Sequence, residues 1–137
     1  MEVYSPPRVI PFPRRAWFSR GLSADLITGW NFIKAGTRIA LVIEVKVRRP
    51  QVLIVSPPCT WFSSLQSLNW WKMPRDFREQ QLREASLHVE FCCVLMWLQT
   101  VAGRKVLFEH PQVGVELHAC QAAVGDHALA GLHGVWH

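Results

Sequence analysis

The sequence predicts an α/β fold in which helices flank a small, mostly parallel sheet. Three observations lead to this fold class. Short apolar runs that are typical of buried strands alternate along the chain with longer segments of helical periodicity. The connections between the runs are long enough to hold the crossovers that parallel strands require. Polar residues directly follow several of the runs, as they do where ligands bind at the carboxyl edge of an open α/β sheet.

The first half of the chain supplies two strands and one helix. Residues 2–4 predict a short strand that the following prolines stop, and residues 22–27 predict a second strand. Residues 14–20 predict one or two helical turns that end at a glycine. The apolar spacing of residues 33–47 fits either a helix or a strand. We favour a helix, because a parallel sheet needs a crossover before the next strand.

The second half supplies the elements with the clearest patterns. Residues 52–55 are a β-branched apolar run and predict a buried strand, followed by a long loop at residues 56–75. Residues 76–101 predict a helix, and residues 106–108 predict the last strand. The apolar stripe of that helix consists of Phe77, Leu82, Ala85, Val89 and Cys93.

Composition restricts the setting and the partners of the chain. It has 137 residues, 50% of them hydrophobic, which is enough for one core, and its net charge of +5 favours an anionic partner such as DNA. The four cysteines include an adjacent pair in an apolar helical run, which favours reduced thiols and an intracellular location, nuclear or cytoplasmic. No signal peptide is expected. The longest apolar stretch, residues 91–98, is shorter than the roughly 20 residues that span a bilayer, so we expect no membrane.

A proline-bounded loop carries the most informative residues. The strand at residues 52–55 runs into Ser-Pro-Pro, and it must stop pairing there because proline has no N–H to donate. Cys59 follows at the tip of this loop. A cysteine held on a stiff loop at the carboxyl end of a strand is well placed to act as a nucleophile.

Two short segments carry a family resemblance. Residues 58–63, Pro-Cys-Thr-Trp-Phe-Ser, resemble the Pro-Cys-Gln-x-Phe-Ser catalytic loop of DNA (cytosine-5)-methyltransferases, with Thr60 in place of glutamine. Residues 106–111 resemble that family's second catalytic element, a strand ending in Glu-Asn-Val, in which Glu109 keeps the acid and His110 departs from the pattern. Ser-Pro-Pro-Arg at residues 5–8 and Pro-Pro-Cys-Thr-Trp-Phe-Ser at residues 57–63 resemble, more closely still, methylase-like segments of retroelement polyproteins.

The resemblance implies a fold, a reaction and a division of the chain. Residues 1–111 would be a partial, Rossmann-like methyltransferase catalytic domain, and residues 112–137 a poorly packed tail. Cys59 would add as a thiolate to the 6-carbon of cytosine, Glu109 would act on ring nitrogen 3, and S-adenosyl-L-methionine would supply the methyl group. The target base leaves the duplex in this chemistry. The expected nucleic-acid contacts are Trp61 and Phe62 for the base and Lys72, Arg75 and Arg78 for phosphates.

The predicted binding site for the methyl donor matches the family pattern less closely than the two catalytic segments do. Such methyltransferases place a glycine-rich turn after the first strand, whereas this chain has Ser5 and two prolines there, which supply fewer backbone donors. Ser5 remains the candidate at this turn. Asp25, at the end of the second strand, is the candidate ligand of the ribose hydroxyls, and Trp30 is the candidate partner of the adenine ring.

Structural interpretations stand beside each of these roles. Cys59 is equally explained as a core thiol, Glu109 as a solvated acid, and Asp25 as a turn residue. The aromatic loop is also consistent with a lid or a dimer surface, and the basic residues with a solvated helix face. The tail holds the zinc-ligand candidates His118, Cys120, His127, His133 and His137. We assign no metal, since His133 and His137 have a zinc-ligand spacing but no second matched pair accompanies them.

The sequence therefore predicts a truncated DNA (cytosine-5)-methyltransferase-like fragment, weakly active or inactive alone. The alternative is a non-catalytic nucleic-acid-binding or interaction module derived from a mobile element. A hydrolase that uses Cys59 and His110 is disfavoured, because no motif places an orienting acid. A partner chain or a dimer would have to complete the fold of a working enzyme.

Overall fold

Four short strands form a parallel sheet in the order β2-β1-β3-β4. They are β1 (Glu2–Val3), β2 (Ser23–Ala24), β3 (Val52–Val55) and β4 (Lys105–Phe108). All three neighbouring pairs are parallel. The structure is a computed structural model that describes residues 1–7, 21–63, 66 and 68–109. The predicted α/β class and parallel sheet are confirmed.

In the described part of the chain, the β2–β3 and β3–β4 crossovers are helical. The first, α1 (Ala35–Arg48), connects β2 to β3, and the second, α2 (Arg75–Val101), connects β3 to β4. The segment that fitted either a helix or a strand is therefore a helix despite its β-branched residues. Leu41 and Val45, one turn apart, are fully buried in the core, and this packing outweighs the weak helix propensity of the segment.

The predicted stripe of α2 is confirmed only in part. Ala85, Val89 and Cys93 are buried at a spacing of four residues, as predicted. Leu82 is half-buried, and Phe77 remains 47% exposed near the beginning of the helix. The helix is thus buried mainly along its second half.

The second strand is shorter than predicted. It ends at Ala24, because Asp25 turns the chain instead of continuing the ladder. The Asp25 carboxylate accepts a hydrogen bond from the backbone N–H of Ile27 at 2.9 Å, and the Thr28 hydroxyl accepts from the N–H of Asp25 at 2.9 Å. This reciprocal cap starts a short 3₁₀ turn at Leu26–Thr28.

The core lies between the sheet and the two helices. On β3 the buried residues alternate, with Leu53 and Val55 inward, and Val55 pairs with Val3 of β1. The main cluster consists of Val3, Ala24, Phe32, Leu41, Val45, Leu53, Val55, Phe91, Cys92 and Leu95. A second, smaller cluster consists of Val89, Cys93 and Met96, and Phe62 and Phe108 pack against it.

One buried glutamine joins the amino ends of two strands. The side-chain amide of Gln99, near the end of α2, donates to the carbonyl oxygen of Pro50 at 3.1 Å and to that of Lys105 at 3.3 Å. Its oxygen accepts from Nε of Arg104 at 2.6 Å. The buried amide is therefore satisfied on both sides, and it ties α2 to the starts of β3 and β4.

The cysteines differ from the expectation that all are reduced. Cys59 and Cys92 are free thiols. Cys93 is disulfide-bonded. Neither helix in the described part of the chain has an apolar stretch long enough to cross a membrane. The predicted turns at 14–20 and the tail at 112–137 lie outside the described residues.

Candidate functional site

The strand order has a topological switch point between β1 and β3. After β1 the chain goes to β2 on one side, and it then returns through α1 to β3 on the other side. Neighbouring strands whose connections leave in opposite directions create an opening at their carboxyl ends, where open α/β sheets bind ligands. Ser5 follows β1 at this opening and Ser56 follows β3, and the N–H of Ser56 donates to the carbonyl oxygen of Val3 at 3.1 Å.

Glu109 and the cysteine loop leave adjacent strands at this same edge. β3 and β4 are paired in parallel, with Val55 opposite Phe108, and the N–H of Glu109 donates to the carbonyl oxygen of Val55 at 2.9 Å. The Ser56 hydroxyl donates to the Glu109 carboxylate at 3.1 Å. The strands that precede Cys59 and Glu109 are therefore adjacent and parallel, and Ser56, which the sequence analysis did not single out, connects the two segments.

The loop that carries Cys59 is held against the core by the residues that follow the cysteine. Cys59 has φ −102° and ψ 0°, the bridge conformation that recurs at active-site residues, and its thiol is half-buried. The N–H of Phe62 donates to the carbonyl oxygen of Cys59 at 3.0 Å, closing a turn at Thr60–Phe62. Phe62 packs against the small cluster under the loop. Its ring therefore holds the loop on the core.

The other residues predicted to contact nucleic acid have varied partners. The Trp61 ring lies edge-on to Phe77, with 6.1 Å between the ring centroids. Arg75 forms an ion pair with Glu79 at 2.6 Å. Lys72 and Arg78 lie instead over aromatic rings, those of Trp71 and Trp70.

The donor candidates on the β1–β2 side are engaged in internal contacts. Ser5 is 8% exposed; its hydroxyl donates to the carbonyl oxygen of Pro6 at 3.1 Å, and its own carbonyl oxygen accepts from the Ser23 hydroxyl at 3.0 Å. Asp25 caps the turn after β2, and the Trp30 ring stacks against Phe32 with 6.2 Å between the ring centroids. Pro6 and Pro7 have no N–H to offer. These residues therefore fit a methyl donor poorly.

A tyrosine–histidine pair on this side has no signature in the sequence. Tyr4 has φ 60°, a left-handed conformation that is uncommon for a bulky residue, and its hydroxyl shares a hydrogen bond of 2.8 Å with Nδ1 of His88 on α2. The two residues are 84 positions apart, so no local motif links them. Burial raises the pKa of Tyr4 and lowers the pKa of His88, which keeps both groups neutral near pH 7.

Within the part of the chain that the structure describes, no three His, Cys, Asp or Glu side chains are grouped so that they could hold a metal ion. The histidine-rich tail lies outside that part.

No protein-family model matches the chain, and neither does any curated protein or solved structure. A functional assignment therefore depends on the chemistry of the β3–β4 edge and on the two motifs that meet there.

Proposed function

We propose that the edge where β3 and β4 end is a pyrimidine-directed nucleophilic site of a DNA (cytosine-5)-methyltransferase-like fragment. Cys59 is the nucleophile and Glu109 is the acid. The observation that supports this proposal best is the 3.1 Å hydrogen bond from Ser56 to Glu109. It joins the cysteine loop to the acid where two adjacent parallel strands end, although the two motifs are about fifty residues apart in sequence.

The proposed reaction begins with addition to the base. The Cys59 thiolate forms a bond from Sγ to the 6-carbon of cytosine, while the 5,6 double bond is lost and its electrons move toward ring nitrogen 3. Glu109, as the carboxylic acid, gives nitrogen 3 a proton, which leaves a neutral enamine. The enamine 5-carbon is then nucleophilic. Without a methyl donor it takes a proton from water, and reversal of the addition can release either of the two hydrogens on that carbon.

We expect little or no methyl transfer by the isolated chain. The candidates for S-adenosyl-L-methionine binding, Ser5, Asp25 and Trp30, already contact their own neighbours. Reaction requires both reactants to be held in a near-attack geometry, and loss of one partner removes several orders of magnitude in rate. A partner chain or a second copy that supplies donor contacts would be needed for the complete reaction on DNA.

Covalent trapping tests the nucleophile without a methyl donor. A single-stranded DNA that carries 2-pyrimidinone at the target position accepts a thiolate and releases it slowly. We expect a denaturant-stable adduct that peptide mass spectrometry maps to Cys59. Cys59→Ser should remove the adduct, whereas Cys92→Ala should keep it, because Cys92 is a free thiol with 0% exposure.

A second probe separates the nucleophile from the donor. DNA with 5-fluorocytosine forms a lasting adduct only after methyl transfer, because fluorine prevents loss of a proton from the 5-carbon. We expect no lasting adduct with S-adenosyl-L-methionine and the isolated chain. An adduct with 2-pyrimidinone that survives Cys59→Ser would show that the proposed nucleophile is wrong.

A further inference from the structure

A second surface, separate in its chemistry from the β3–β4 edge, lies just before α2. We call it the Trp71 platform, and it consists of Trp70, Trp71, Lys72 and Arg78. Trp71 is 78% exposed. Tryptophan is among the residues that are usually well buried, so an indole presented to solvent is a candidate contact surface.

The two neighbouring tryptophans have opposite roles. Trp70 is half-buried: the Arg78 guanidinium lies over its ring, 5.7 Å from the centroid, and Nη1 of Arg78 donates to its carbonyl oxygen at 3.5 Å. The 3₁₀ turn at Trp70–Lys72 is closed by the N–H of Met73, which donates to the carbonyl oxygen of Trp70 at 3.2 Å. With Trp70 held inward by these contacts, the turn directs Trp71 outward.

Among the described residues, no carboxylate forms an ion pair with the two cations of the platform, Lys72 and Arg78. Lys72 Nζ lies 5.0 Å from the centroid of the Trp71 ring. Among the described residues, neither Lys72 nor Arg78 has a carboxylate within ion-pair distance, whereas Arg75 and Arg83 both pair with Glu79. The platform therefore combines an exposed aromatic face with two positive charges whose contacts with other described residues are made to indole rings and to a backbone carbonyl.

We propose that the Trp71 platform binds single-stranded nucleic acid. One base stacks on the exposed indole of Trp71, while Lys72 contacts the adjacent phosphate. An aromatic stacking face beside a cation matches the two repeating features of a single strand, the base and the phosphate. A duplex offers only phosphates to this surface, because its base faces are covered by their neighbours. The proposal does not depend on Cys59 being a nucleophile.

Fluorescence anisotropy with a labelled oligothymidylate tests the proposal on the full chain. We expect Trp71→Ala to weaken binding about tenfold, since stacking of one base contributes roughly 1–3 kcal/mol, and Trp71→Phe to restore part of it. Lys72→Ala should weaken binding and reduce the salt dependence by about one phosphate contact. Leu68→Ala, at an exposed residue of the same loop, and Lys46→Ala, at an exposed lysine of α1, should leave the affinity unchanged.

Several outcomes would overturn the proposal. Equal affinity of Trp71→Ala and the parent chain would exclude the indole as a stacking face. Duplex DNA that competes as well as the single strand would indicate binding by charge alone. Loss of a dimer in sedimentation on Trp71→Ala, with no change in oligonucleotide affinity, would assign the platform to a protein interface.

Discussion

Both halves of the carboxyl edge of the sheet are formed by the ends of short parallel strands. Their polar side chains differ in whether they are bonded within the protein or remain accessible. On the β1–β2 side, Asp25 caps a turn, Ser5 is buried in local hydrogen bonds, and Tyr4 is joined to His88. On the β3–β4 side, Cys59 is half-buried with a free thiol, and Glu109 is exposed with a hydroxyl donor beside its carboxylate.

This difference shows why position at a strand end is not sufficient to identify a binding residue. A polar side chain whose hydrogen bonds are satisfied by its own backbone has little left to offer a ligand. A side chain that is held in place but remains accessible can react. The β1–β2 side therefore has the character of a structural support, and the β3–β4 side is where we propose that a base reacts.

The largest effect is expected at the acid on the β3–β4 side. Glu109→Gln keeps an acceptor for the Ser56 hydroxyl but removes the transferable proton. We expect a loss of about 10²–10⁴-fold in the addition rate, measured as tritium release from the 5-carbon of labelled cytosine in single-stranded DNA. The free energy of unfolding should change by less than about 0.5 kcal/mol, since Glu109 is exposed.

A matched variant controls for the change of charge. Glu90→Gln removes an exposed carboxylate from α2 and should leave tritium release unaltered. Equal rates of tritium release for Glu109→Gln and the parent chain would show that Glu109 is a solvated acid at a strand end. The proposed functional difference between the β1–β2 side and the β3–β4 side would then be wrong.

An intermediate effect is expected at the cap on the β1–β2 side. Asp25→Ala should lower the free energy of unfolding by about 1 kcal/mol, as loss of a capping side chain does, whereas Asp25→Asn retains the acceptor and most of the stability. Urea unfolding measures both variants. Calorimetric titration with S-adenosyl-L-methionine should show no difference between Asp25→Asn and the parent chain. Weaker donor binding by Asp25→Asn would identify Asp25 as a ribose ligand after all.

The smallest effect is expected from pH. Burial, the largest cause, lowers the pKa of His88; the neighbouring Glu84 acts in the opposite direction, and Arg38 acts in the same direction as burial. The unfolded chain therefore binds a proton at a higher pH than the folded chain. The stabilisation by neutral His88 is complete above the unfolded value of about 6.5, and it is lost as the pH falls through the folded value.

Urea unfolding between pH 8 and pH 5 checks this direction. The other five histidines lie outside the described residues, so the contribution of His88 is the difference between the parent chain and His88→Gln. We expect the slope of stability against pH to be shallower in the variant. A steeper slope in His88→Gln would show that the Tyr4–His88 contact favours the charged imidazole.

The sequence predicted the elements that a strong apolar pattern determines. The run at 52–55 and the long helical stripe led to β3, α2 and β4 with boundaries within one or two residues. It failed at 22–27, because the local competition between a strand ladder and the Asp25 cap is decided by two hydrogen bonds that propensity does not record. A short polar side chain that can bond its own backbone often ends a strand in this way.

Within the candidate site, the motifs predicted the position of Cys59 and Glu109 but not their connection. The sequence does not distinguish Ser56 from other loop residues, because a serine before two prolines is common in loops. Only the parallel register of β3 and β4 brings it to Glu109. The contact between Tyr4 and His88 likewise depends on the crossing of α2 over the sheet, which periodicity does not specify. Long-range pairs of this kind become visible only in three dimensions.

The buried amide of Gln99 has a mechanical consequence. It braces the sheet at the end opposite to Cys59, where it fastens the helix to the entry points of β3 and β4. The two hydrogen bonds of Gln99 oppose sliding of β3 past β4 at their amino ends. The carboxyl ends, or exits, of the two strands would therefore keep their spacing if the loops beyond them rearranged. The arrival of a ligand at the exits would then deform the loops rather than the sheet, and a substitution in the cysteine loop, for example at Thr60, would leave the sheet undisturbed.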